Sequence, residues 1–108
     1  MPSNKNEGSQ VATVTTEHTL ATVTDAGNYL FYVDTNVLAL GDELILRVKV
    51  KVRSTGTTRL AFQAAYKNVV GEPIIQSIPV SIVNEAVFTL EQATGTSRTF
   101  DWAVVDMS

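Results

Sequence analysis

Residues 43–53 read ELILRVKVKVR. Leu44, Leu46, Val48, Val50 and Val52 alternate with Ile45, Arg47, Lys49, Lys51 and Arg53. Side chains of a strand alternate with period two, so the first set belongs to one face and the second to the other. The apolar face is predicted to enter a core. The opposite face becomes a ridge of cations spaced about 7 Å apart. Such a concentration is unusual in a chain whose formal net charge is −3.

The same period governs most of the chain. From Val11 onward it is rich in Thr, Val, Ile and aromatic residues, which suit a pleated, half-buried surface, and is punctuated by turn formers. Strands are expected at residues 11–16, 19–24, 28–33, 43–53, 58–67, 73–83, 85–92 and 98–105. Asp25-Ala26-Gly27-Asn28 and Ser54-Thr55-Gly56-Thr57 supply residues that tolerate tight reversals, and the second separates two alternating runs as a hairpin would. Asp34-Thr35-Asn36 opens a loop or single helical turn that Gly41 ends. LAFQAAYKNVV, residues 60–70, admits a helix, but Leu60, Phe62, Ala64 and Tyr66 alternate with polar neighbours, so a strand fits it as well. Pro73 and Pro79 each remove a ladder donor from the run 73–83, which makes it an edge strand or a strand broken at Pro79.

The 108 residues, 44% hydrophobic and 18% charged, fit one globular domain. Eight short strands without a helix imply an all-β sandwich or jelly roll. Residues 1–10 are polar and aperiodic and could not repay their ordering entropy alone. The chain is therefore divided into an extended N-terminal arm, 1–17, and a β-sandwich domain, 18–108. No cysteine is present, which excludes disulfides and thiolate metal sites. The first residues lack the apolar core of a signal peptide, and no run reaches the length of a membrane helix. Membrane partners are not expected.

Three surfaces could face the basic ridge. The first is solvent, with neighbouring acids such as Glu91 or Asp101 compensating the charge. The second is an acidic protein surface onto which the ridge docks. The third, nucleic acid, is disfavoured by the acidic balance and by the lack of aromatic residues interleaved with the cations.

Catalytic chemistry has no motif here. His18 is the only histidine and lies in a Thr-rich, strand-like segment that suits a structural role. No G-x-S-x-G elbow or phosphate-cradling loop is present, and Gly41, Gly56, Gly71 and Gly95 are isolated turn glycines. Asp34-Thr35-Asn36 resembles the opening of a calcium loop but lacks the glycine and distal glutamate such a loop requires. Glu17, Asp25, Asp42, Glu43 and Glu85 lie beside expected turns or strand ends without forming a diagnostic pair. Trp102 shares a strand face with Phe100 and Val104 and is expected to anchor the core. No enzyme, cofactor or metal site is expected.

The series HTLATVTDAGNYLFYVDTNVLALGDELILRVKVKVRSTGTTRLAFQAAY, followed by the proline-containing strand and TLEQATGTSRTFDWAV, resembles small β-rich virion proteins of tailed bacteriophages. Within that class it looks like a capsid decoration, or cement, protein. The likeness spans residues 18–105 and rests on structural motifs: the D-A-G turn, the V-D-T-N step, the G-D before the basic strand and the T-G-T-S-R turn. It implies a non-enzymatic protein, made in the host cytoplasm, that binds the major capsid protein on the virion surface and strengthens the shell. It also implies contact with neighbouring copies of the protein, often as a trimer. Partner-binding residues are then expected in the ridge, Arg47, Lys49, Lys51 and Arg53, and in the arm, Pro2, Asn4 and Lys5. Other readings are a tail, head-completion or head-fibre anchoring protein, and a carbohydrate-binding sandwich using Tyr29, Tyr32 or Tyr66.

Overall fold

A computed structural model of the chain describes residues 3–68, 71–77 and 79–107. They form strands β1 (Ser3–Ala12), β2 (Glu17–Val23), β3 (Gly27–Asp34), β4 (Glu43–Lys51), β5 (Arg59–Lys67), β6 (Ile74–Gln76), β7 (Val80–Ile82), β8 (Glu85–Thr94) and β9 (Arg98–Asp106). All pairings are antiparallel. One sheet has the order β1-β9-β3-β6, with β7 also paired to β3, and the other has the order β2-β8-β4-β5. β6 and β7 lie in succession along β3, on the side away from β9, and act as one interrupted strand. Counted so, eight strands wind through two facing sheets in the order of a jelly roll.

Alternation creates the core. Leu44, Leu46 and Val48 of β4 are buried, as are Ala86, Phe88 and Leu90 of β8. From the first sheet come Tyr29, Phe31 and Val33 of β3 with Phe100 and Val104 of β9. Phe31 and Phe88 join the sheets edge to face, with ring centroids 5.6 Å apart. Such a contact is worth about 0.5–1.5 kcal/mol beyond the area it buries.

Three sequence-based expectations are corrected, at the N-terminal arm, the end of the first strand and the end of β4, and two others, at residues 73–83 and 60–67, are met. Residues 1–17 were expected to form a separate arm, but Ser3–Ala12 is a strand of the first sheet, paired with β9 from Ala12↔Arg98 to Ser3↔Asp106. Its hydrogen-bond partners come from the far end of the chain, which local composition cannot reveal. The first strand accordingly ends at Ala12, and Thr13–Thr16 form a turn closed by Thr16 N–H donating to Thr13 C=O at 3.1 Å. The run 73–83 is divided, β6 ending at Gln76 and β7 beginning at Val80, directly after Pro79. Residues 60–67 are strand, not helix. Finally, β4 stops at Lys51, leaving Val52 86% exposed rather than in the core.

Candidate functional site

The counter-charges of the β4 ridge come from one side of it, from the neighbouring β8 and from β2 beyond. Glu17 of β2 is directly opposite Glu91 of β8, which pairs in turn with Ile45 of β4. Like charges placed so would repel. Arg47 spans the gap, its Nη1 lying 2.8 Å from Glu91 Oε1 and 3.4 Å from Glu17 Oε2. Its Nε donates to Gln63 Oε1 on β5 at 2.9 Å. Lys49 reaches Glu17 at 3.1 Å, and Lys51 reaches Glu85 at 3.8 Å. Beyond them, Lys67 of β5 lies 3.9 Å from Glu43. The Thr89 hydroxyl donates to Glu17 at 2.6 Å from beneath this network, where it is 1% exposed. The Thr89 bond above all, with Lys49 and Arg47, holds the Glu17 carboxyl below its ordinary value of 4.5 despite partial burial.

Three cations of the expected docking ridge are thus engaged within their own sheet. Glu91, named from sequence as a compensating acid, is one of their partners, whereas Asp101 lies on β9 in the other sheet. Arg53 is not on the ridge: it occupies the turn after β4, exposed beside Val52, Gly56, Thr57 and Arg59 around a hollow of about 340 Å³.

The expected N-terminal contacts are also largely internal. Lys5 pairs with Asp25 in the turn before β3, and Asn4 Nδ2 donates to Glu7 Oε1 at 2.9 Å. Pro2 lies outside the described residues. Yet β1 is an edge strand whose residues Ser3–Ser9 are exposed. Its outer backbone edge carries no strand among the described residues.

Two motifs singled out in sequence meet at one joint. Asp42 of the G-D step is 2% exposed, and its Oδ1 accepts the Thr96 N–H at 3.1 Å. Its Oδ2 accepts Ala39 N–H at 3.0 Å and Arg98 Nε at 2.9 Å. Burial pushes this carboxyl upward, but the two backbone donors and the guanidinium outweigh it and keep it below its ordinary 3.8. Gln92, fully buried, braces the same turn by donating to Thr94 C=O and Thr96 C=O and accepting from Arg98 N–H. Sequence reasoning missed this role of Gln92. Its one sequence trace is a polar residue in register with the inward Ala86, Phe88 and Leu90.

The remaining sequence candidates are dispersed and structural. His18 Nε2 accepts Thr13 N–H at 3.0 Å, so the ring closes the turn between β1 and β2. Asp34 Oδ1 accepts Asn36 N–H at 3.0 Å, an Asx turn rather than a calcium loop. Tyr29 is buried and donates to Asp25 C=O at 2.9 Å, and Tyr66 packs against the core. Tyr32 alone of the three tyrosines borders the hollow of about 190 Å³ formed with Asp34, Ile74 and Asp101 on the first sheet. These positions leave no shared aromatic platform. Trp102 also packs against the core, beside Gly8, where a Cβ would come within 3.4 Å of the ring. No group of three or more potential metal ligands occurs among the described residues.

No family model matches the chain, and no curated protein or solved structure shows significant similarity to it.

Proposed function

We propose that this protein is a structural virion component that decorates and stabilises an assembled bacteriophage capsid, without catalytic activity. The observation that carries the reading is the jelly-roll strand order, an architecture used by viral capsid and lectin domains. Fold alone does not determine function. The resemblance of residues 18–105 to small phage virion proteins chooses between these uses. Its motifs G-D and T-G-T-S-R are residues that join the two sheets, so the likeness rests on what builds the scaffold.

In this reading the edge strand β1 meets the capsid surface. An exposed strand edge offers a row of backbone donors and acceptors to a neighbouring chain. Many such contacts repeated on a lattice gain strength through multivalency. The ridge on β4 plays a lesser part, because its cations are already paired.

The test is the copy number in purified particles of the phage that encodes the protein, quantified against the major capsid protein. A number comparable to that of the capsid protein is expected. A handful per particle would mean a tail, head-completion or vertex component, and absence from particles would overturn the virion reading.

A further inference from the structure

The cations that find no ion pair among the described residues lie together. Arg53 and Arg59 make none among the described residues, and both border the turn joining β4 to β5. Around them stand three exposed apolar side chains, Val52 at 86%, Leu60 at 53% and Val83 at 78%. Asn84 ties the segment after β7 to this turn by donating to Val52 C=O at 2.9 Å. A register shift between Val48 and Lys49 places Leu60 opposite Lys49, turning it toward the outer face instead of the core.

The other end of the sandwich has the opposite sign. Asp34 and Asp101 are directly opposed on β3 and β9, and neither makes an ion pair among the described residues. Two carboxylates so placed repel, and a cation seated between them would relieve the repulsion. Ile74, 59% exposed, pairs with Asp34, and the loop that follows Asp34 exposes Val37 at 44% and Leu40 at 85%. The span of β4 separates the two ends by about 25–30 Å, so one molecule cannot bring its own spare charges together.

We propose that copies of this chain associate end to end, the Arg53 and Arg59 end of one seated on the Asp34 and Asp101 end of the next. Each end combines exposed apolar surface with unpaired charge, and the two charges are complementary. Contact between like ends would oppose charges of one sign, which selects the head-to-tail arrangement over a two-fold one. A head-to-tail contact closes into a ring or continues as a filament according to its rotation.

The experiment is sedimentation velocity of the full chain from about 1 μM to about 500 μM, a range that captures weak association. Two double variants, Arg53→Asp with Arg59→Asp and Asp34→Arg with Asp101→Arg, are each expected to weaken association at least about tenfold. Mixed in equal amounts they should associate again, because each supplies the charge the other has reversed. Leu40→Ser, which removes no charge, provides an independent test and should weaken association as well. Raising salt from about 0.05 M to about 0.5 M should loosen the wild-type contact. Circular dichroism of each variant confirms the fold. A wild type that remains monomeric throughout, charge variants that associate like it, or a mixture that fails to recover would overturn the proposal. No capsid enters the measurement, so its outcome is independent of the virion reading.

Discussion

Asp42 and Arg98, 56 residues apart, are joined by a charge-assisted hydrogen bond of 2.9 Å from Nε to a carboxylate that is 2% exposed. The same carboxylate accepts two backbone N–H groups, so it fastens the loop before β4 to the turn between β8 and β9. Because β4 belongs to one sheet and β9 to the other, this joint holds the sheets in register at one end.

Gly95 is the residue this joint cannot replace. Its φ is +100°, and a Cβ there would lie 2.0 Å from Asp42 Oδ1. Gly95→Ala is expected to cost about 2 kcal/mol or more, combining backbone strain with displacement of the carboxylate. Asp42→Ala should cost about 3 kcal/mol by stranding the guanidinium and two donors. Urea denaturation of each variant measures both, and a loss within about 0.5 kcal/mol, usual for surface substitutions, would mean the joint is dispensable.

Acid should weaken the fold through two carboxylates. Asp42 and Glu17 are held below 3.8 and 4.5 in the folded protein. A depressed folded pKa contributes stability that is present above the unfolded value and lost as pH falls through the folded one. Urea midpoints should therefore be steady above the ordinary carboxylate range and decline as pH is lowered below it. Asp42→Asn should flatten that decline, and an equally steep decline in the variant would remove Asp42 as its source.

Arg47 neutralises two glutamates that face each other across the ladder. Arg47→Met should leave Glu17 and Glu91 in repulsion and cost about 2 kcal/mol, more at low salt than at high salt. Lys49→Glu should cost about 1 kcal/mol for the same reason. Thermal melts at two salt concentrations would check both. Unchanged stability with weakened capsid binding would restore the ridge as a docking surface.

Removal of residues 1–12 should damage the fold. β1 covers the edge of β9, and Ala12 is fully buried. A shortened protein that kept its melting temperature and cooperative transition would return the segment to the status of a detachable arm.

The sequence by itself determined the all-β class, the two faces of β4, most of the strand positions and the break near Pro79. These are local consequences of period-two alternation and of proline chemistry, so neighbouring residues suffice to read them. The role of residues 3–12 depended on pairing with β9, and the fate of the ridge depended on acids brought by β2 and β8. The inward turn of Gln92 and the burial of Asp42 were likewise products of the packed sheets, for polar residues enter a core only where specific partners meet them. Tertiary structure also placed Arg53 and Arg59 at one end and the opposed Asp34 and Asp101 at the other, because that placement depends on which strands lie side by side and not on their order in the chain.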